Sequence, residues 1–184
     1  FLDTMLARAK ADKQTIVLPE GDDPRTLEAA ETILAQGVAN LIILGNVAAI
    51  KESGRALEGA TLIDPQDSDL HNEFANTLYE LRKHKGMTLE QAAEKVRDVL
   101  FFGVLMVKTG RADGMVSGAC HSTGDVLRPS LQILKTAPGV KLVSSFFIMV
   151  VPNCEYGQNG TFLFSDCGLE IQPTAEKLAH IAVN

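Results

Sequence analysis

The stretch Thr15-Ile16-Val17-Leu18-Pro19-Glu20-Gly21-Asp22-Asp23-Pro24-Arg25 decides the fold. Its first four residues form a continuous apolar run rather than an alternating one, which marks a strand buried on both faces. A polar loop follows at once. Within it Asp23 is a good helix N-cap, and Pro24 suits the first helical position, where no backbone N–H is needed. Leu27, Ala30, Ile33 and Leu34 continue at helical spacing, and Gly37 can supply the left-handed residue that ends the helix.

The same alternation extends outward. A short amphipathic helix, Phe1–Ala11, precedes the strand. Leu41–Leu44 reads as a second buried strand and Val47–Ser53 as a short helix. Thr61-Leu62-Ile63 is a third strand, and a helix is predicted from about Asp67 to Lys85. The capping-box pattern Thr88-Leu89-Glu90-Gln91 opens what reads as one long helix through Val96, Val99 and Gly103 to Val107. Met115-Val116 is a fourth, very short strand. Strand and helix in alternation predict an α/β fold: a doubly wound, mainly parallel sheet sandwiched by helices.

The pattern changes after Ala137-Pro138-Gly139. Lys141–Val151 reads as a long apolar strand, Pro152–Gly157 as a tight turn, Thr161–Phe164 as another strand and Thr174–Asn184 as a helix in need of a partner. We expect residues 1–139 to form domain I. Residues 140–184 are expected to be the incomplete beginning of a second α/β domain. The first residue is Phe1 rather than Met, which suggests a trimmed chain.

Composition narrows the function. Of 184 residues, 46% are apolar and 22% charged, with a net charge of −6. That balance argues against a general nucleic-acid binder. The longest apolar stretches, Val99–Val107 and Leu142–Val151, are too short to span a bilayer, and no signal peptide is evident. Cys120, Cys154 and Cys167 make an odd number with no CxxC pair, so neither a disulfide framework nor a structural zinc site is expected, and a reducing compartment is. The four histidines show no metal-ligand spacing.

Parallel sheets bind ligands beyond the carboxyl ends of their strands. Two loops lie at such ends, Gly21–Arg25 and Ser117–Arg128, so Arg25 and Arg128 could face one crevice. The second loop reads Ser117-Gly118-Ala119-Cys120-His121-Ser122-Thr123-Gly124-Asp125-Val126-Leu127-Arg128-Pro129. Gly118 and Gly124 permit close backbone approach to an anion, Ser117, Ser122 and Thr123 offer hydroxyls, and Arg128 can grip a phosphate with two nitrogens. The competing reading is ordinary helix capping with an Asp125–Arg128 ion pair. Pro129 places the helix start between Asp125 and Leu127, or kinks the helix, with Arg128 near the first turn. No GxxxxGK[ST] and no GxG occurs, which removes the P-loop and the dinucleotide fingerprint.

Arg82-Lys83-His84-Lys85-Gly86 is the densest basic cluster. It suits either the phosphates of a large anionic ligand or a solvated helix end. Adjacent Cys120 and His121 suit pocket lining better than joint catalysis, and Cys154 reads as a packed cysteine. Glu155 and Asp166 are candidate acids that nothing in the sequence pairs.

Taken in order, several segments resemble the phosphate acetyl/butyryltransferase family, and within it the acetyl-transferring members. They are Leu18-Pro19-Glu20 with Arg25-Thr26, Tyr79–Gly86, Ala112–Gly118, His121-Ser122-Thr123 with Leu127-Arg128-Pro129, Cys154–Gly157 and Gly160–Asp166. The resemblance implies acyl transfer between coenzyme A and inorganic phosphate, from acetyl-CoA and phosphate to acetyl phosphate and CoA. It implies direct attack in a ternary complex, without metal or covalently bound cofactor, in a cytoplasmic homodimer. Arg128 and Arg82 match family arginines with catalytic and binding roles. Ser122, Thr123 and Arg128 would hold phosphate, Arg82 and Arg25 would hold CoA, and Cys154 would neighbour the site. A non-catalytic acyl-CoA sensor and a butyryl-transferring enzyme are the alternatives.

Two departures stand out. Val126 occupies a position where many members have Thr. The family also has a further C-terminal stretch, carrying a Ser-Arg pair and an Asp proposed as the base for the thiol. These 184 residues alone are therefore expected to be inactive.

Overall fold

The runs that read as buried strands pair in parallel. In this computed structural model, which describes residues 1–184, β1 (Thr15–Leu18) lies between β2 (Asn40–Leu44) and β4 (Gly114–Met115), and β3 (Thr61–Ile63) flanks β2. The order across the sheet is β3-β2-β1-β4. Leu18 stands opposite Ile43, and Val17 pairs with both Ile42 and Met115. Because successive side chains point to opposite faces, each apolar run feeds two cores. Leu18, Leu41 and Ile43 pack with Leu27, Ala30 and Ile50 from α2 (Pro24–Gln36) and α3 (Val47–Glu52). Val17, Ile42 and Leu44 pack on the other face with α4 (His71–Arg82), α5 (Leu89–Lys95), α6 (Val99–Lys108) and α7 (Thr123–Ile133). This is the expected α/β sheet between helical layers. The helix α1 (Leu2–Ala11) precedes it and buries none of its residues.

Helix α2 begins and ends as its residues dictate. The Asp23 side chain accepts from the Arg25 N–H at 2.8 Å, Pro24 takes the first position, and Gly37 closes the helix at φ 65°. The long helix expected from Thr88 to Val107 is instead two. Thr88 and Gln91 form the capping box of α5, and the chain then turns at Asp98, whose carboxylate accepts from Leu100 N and Phe101 N to start α6. An Asp ahead of an apolar run caps a new helix more readily than it continues an old one. Residues Leu100–Met106 of α6 are all buried. Gly103 lets the helix sit this deep: a Cβ there would lie 2.7 Å from Met115 Sδ and 3.2 Å from Val17 Cγ1. The helix expected at about 67–85 is confined to α4, and a 3-10 turn, Lys83–Lys85, carries the basic cluster to Gly86.

The start of α7 also differs from expectation. Ser122 caps the helix and Thr123 is its first residue, so Pro129 lies inside it and Arg128 in the second turn. Reciprocal capping by Ser122 and Asp125 fixes the earlier start. Pro129 lacks the N–H that would reach the Asp125 carbonyl, and its burial in the core offsets part of that loss. Ser130 meanwhile donates its hydroxyl to the Val126 carbonyl at 2.8 Å.

The chain divides into two compact units, Leu2–Lys135 and Thr136–Asn184. In the second, β5 (Phe146–Val150) and β6 (Thr161–Ser165) pair antiparallel, and α8 (Ala175–Val183) follows the Thr174 cap. β5 is shorter than the strand expected at Lys141–Val151. Ser145, just before it, is held by Asp166, which accepts from the Ser145 hydroxyl and N–H. The Asp166 carboxyl also accepts from Gly168 N at 2.7 Å and Leu169 N at 3.0 Å. These bonds, the Gly168 N–H foremost, hold it well below the usual carboxylate range despite a small opposing effect of burial. Gly160 is at φ 78°, where a Cβ would meet the Val151 carbonyl.

Candidate functional site

The order β3-β2-β1-β4 makes β1 and β4 parallel neighbours. The chain leaves β1 toward β2 and β3 on one side, while β4 lies on the other. Loops from adjacent strands that turn opposite ways open a crevice between them. The loops Pro19–Asp23 and Val116–Ser122 therefore emerge side by side. A cleft of about 360 Å³ lies there, lined by Leu18, Glu20, Arg25, Thr26, Ser117 and Ala119 among others.

The second loop binds an anion, and that anion belongs to the protein. Glu20 is the one charged side chain in the core, only 5% exposed. Its Oε2 accepts from Gly118 N and Ala119 N, each at 2.9 Å. Its Oε1 accepts from Cys120 N at 2.9 Å and His121 N at 3.1 Å, and lies 2.7 Å from His121 Nδ1. Burial acts to raise the Glu20 pKa, but the Cys120 N–H, the His121 ring and the Ala119 and Gly118 N–H groups outweigh it, so the carboxyl stays ionised far below its ordinary range. The four backbone N–H groups of Gly118–His121 thus close on Glu20; of the two glycines expected to let the backbone approach a ligand, Gly118 serves this internal anion. A buried carboxylate with this many donors fixes the loop against strand β1.

Arg25 ties the two loops together. Its Nε and Nη2 donate to the Asp23 carboxylate at 3.0 and 2.7 Å, and Nη2 also reaches the Ala119 carbonyl at 2.6 Å. The Arg25 side chain holds the Asp23 pKa down to about 2. With 71% of its side chain exposed, Arg25 presents a fixed guanidinium to the cleft. Ser117 adds a buried hydroxyl, and its Oγ has no hydrogen-bond partner in the protein.

Ser122 and Thr123 lie at the head of α7. The Ser122 hydroxyl is committed to Asp125 Oδ2 at 2.6 Å, the capping arrangement rather than a free phosphate donor, whereas Thr123 is exposed. The Ser122 hydroxyl and N–H hold the Asp125 carboxyl low, and Arg128 contributes to that only through its field. Arg128 is exposed on α7, with its guanidinium available to a ligand. Arg82 ends α4, which packs against α7. It is half-buried, and its Nε is enclosed without a hydrogen-bond partner. An enclosed guanidinium N–H is costly to leave unpaired, which singles Arg82 out from the solvated lysines beside it. Lys83 is held by Glu80.

Cys154 lies in the second compact unit, half-buried in the β5–β6 connection. Cys120 and His121 line the first: Cys120 is exposed, with Sγ 3.5 Å from Glu20 Oε1. Burial, reinforced by Glu20, raises the Cys120 pKa, so this thiol is no ready nucleophile. The role of Glu20 is not legible from its neighbours in the sequence. Its signals in the sequence were the Leu18-Pro19-Glu20 segment of the resemblance and an acid two residues past a buried strand, while its partners lie about a hundred positions away. Of the three arginines, Arg25 lines the cleft beside the loop that Glu20 fixes, while Arg82 and Arg128 lie on α4 and α7 and are not among the residues lining it. Cys120 Sγ lies 3.7 Å from His121 Nδ1, but that nitrogen is taken by Glu20 at 2.7 Å, and burial and Glu20 raise the thiol's pKa, so the pair is not set up as nucleophile and base.

A profile for the family described as phosphate acetyl/butaryl transferase matches residues 1–184. The chain is 55% identical to a phosphate acetyltransferase of Acetivibrio thermocellus and 53% identical to one of Thermoanaerobacterium thermosaccharolyticum. Each match takes in the whole chain and 56% of the relative. Among solved structures, a phosphotransacetylase from Streptococcus pyogenes matches with a TM-score of 0.90 at 40% identity, over 100% of this chain and 55% of that one. The EutD phosphotransacetylase from Staphylococcus aureus matches with a TM-score of 0.87 at 37% identity, over 99% and 54%. The chain therefore spans little more than half the length of these relatives.

Proposed function

We propose an activity from one premise: the chain belongs to the phosphate acetyl/butaryl transferase family. The protein that contains it transfers an acetyl group between coenzyme A and inorganic phosphate. The observation that carries this reading is the match over the whole chain to relatives named phosphate acetyltransferase, at 55% and 53% identity. Those names favour acetyl over butyryl as the transferred group. The residues support it too, with exposed arginines at Arg25 and Arg128, an enclosed unpaired donor on Arg82 and a Cys120 thiol whose pKa burial and Glu20 raise.

The reaction is direct transfer in a ternary complex. The CoA thiolate attacks the carbonyl carbon of acetyl phosphate, the tetrahedral intermediate places negative charge on the carbonyl oxygen, and phosphate leaves as the carbonyl re-forms. The chain's own residues bind and orient. Arg128 and Thr123 take the phosphate side, with Ser122 holding the head of α7, while Arg82 and Arg25 take the phosphates of CoA. Holding two anionic substrates in register removes most of the entropic barrier, and cations aimed at the developing oxyanion lower the rest. No metal or covalently bound cofactor enters the scheme. Residues 140–184 begin a second domain that the rest of the relatives' length completes. The working protein is a cytoplasmic homodimer, and residues 1–184 alone are inactive.

Thioester formation from CoA and acetyl phosphate by the full-length protein tests the reading. Saturable turnover that requires both substrates supports it. Acyl-CoA binding without turnover would leave the protein a sensor and overturn the catalytic assignment.

A further inference from the structure

Three different ligand groups converge on the loop at the carboxyl end of β1 and β4. Glu20 Oε1, Cys120 Sγ and His121 Nδ1 all lie within 4.8 Å of one another. The sulfur is 3.5 Å from the carboxylate oxygen and 3.7 Å from the ring nitrogen, and the oxygen and nitrogen are 2.7 Å apart. A tetrahedral zinc ion with ordinary bond lengths needs S–N and S–O edges of about 3.5 Å and an N–O edge of about 3.3 Å. Two of the three edges are already present. The third opens by roughly 0.6 Å when the proton now between His121 Nδ1 and Glu20 gives way to the ion.

We propose that Glu20, Cys120 and His121 form a binding site for a thiophilic divalent cation of the zinc class, with its fourth position open to solvent. The donor set selects the ion: thiolate and imidazole exclude magnesium and calcium, and suit zinc or cobalt. Rigidity supports it. Glu20 Oε2 remains fastened by Gly118 N and Ala119 N, and Oε1 keeps the Cys120 and His121 N–H bonds while the ion takes the place of the His121 Nδ1–H donor, which supplies the outer-shell orientation that a ligating carboxylate needs. Charge also balances. Binding M²⁺ converts the Cys120 thiol to thiolate and releases one proton, the His121 proton moves from Nδ1 to Nε2 through solvent, and thiolate plus carboxylate neutralise the ion. The guanidinium of Arg25 is close by, but its charge is offset by Asp23. The inference does not depend on the proposed activity.

Titration of the full-length protein with cobalt(II) under reducing conditions, followed by zinc competition, tests it. Wild type should develop thiolate-to-cobalt charge-transfer absorption that saturates at one ion per chain and is bleached by zinc. Cys120→Ser should lose that absorption. His121→Gln should bind at least about tenfold more weakly, since even outer-shell partners are worth 10–100-fold. Cys120 is exposed, so Cys120→Ser should keep its fold, checked by circular dichroism. Charge-transfer absorption unchanged in Cys120→Ser, or removed by Cys154→Ser instead, overturns the proposal. So does the absence of any such absorption in wild type.

Discussion

Replacing Glu20 by Gln changes one atom and removes one charge, yet it should be among the most damaging substitutions in the first compact unit. The carboxylate accepts four backbone N–H bonds of 2.9–3.1 Å while 5% exposed. Hydrogen bonds to a charged acceptor are worth about 1.5–3 kcal/mol each, against about 0.5–1.5 kcal/mol for neutral ones. The amide keeps one acceptor oxygen, so two N–H groups drop to neutral strength. The other two face an NH₂ donor. Allowing for the desolvation no longer needed for a charge, the net loss is about 3 kcal/mol, within a range of about 2–5 kcal/mol. Urea unfolding of wild type and variant at neutral pH measures it. The pH dependence gives a second reading. The folded Glu20 pKa is depressed, so its stabilisation is complete above the unfolded value near 4.5 and is lost as pH falls below it. Wild type should therefore lose stability relative to Glu20→Gln on acidification from about pH 6 to about pH 3. A stability difference under about 0.5 kcal/mol at neutral pH, or parallel pH profiles, would refute the clamp.

Other expectations follow from the same geometry. Arg128→Lys in the full-length protein keeps the charge but loses the planar two-nitrogen grip, and should lower kcat/KM for acyl transfer by at least about tenfold; an unchanged value removes Arg128 from the site. Gly103→Val places branched carbons where a single Cβ already sits 2.7 Å from Met115 Sδ, so unfolding should become easier by about 1–3 kcal/mol or more, read from the denaturation midpoint. Asp166→Asn weakens the bonds that hold Ser145, Gly168 and Leu169; faster amide exchange at residues 145–169 with little change in 2–135 is the expected signature. The 184-residue chain, assayed for thioester formation beside the full-length protein, should show no turnover above background.

Much of the first unit was legible because local chemistry and burial agree there. The run Thr15–Leu18, the Asp23-Pro24 start and the Gly37 stop each carry their own signal, and each sits as read. Legibility failed where two local signals competed. Val96 and Val99 continue a helical period across Asp98, and only the side chain's choice to cap Leu100 and Phe101 ends one helix and starts another. Pro129 argues for a late start to α7, but the Ser122–Asp125 capping box wins.

What the sequence determined by itself was the alternation of strand and helix, the family resemblance and the arginines. Those depend on neighbours a few positions apart or on residue identity alone. Only the tertiary structure decided that β4 pairs with β1, and hence that the two loops share an edge. It also decided which anion the Ser117–Ser122 loop holds. The loop looked like a ligand cradle because backbone N–H groups beside a glycine bind any anion. The nearest one turned out to be Glu20, fixed there by a strand pairing that no short stretch of sequence encodes.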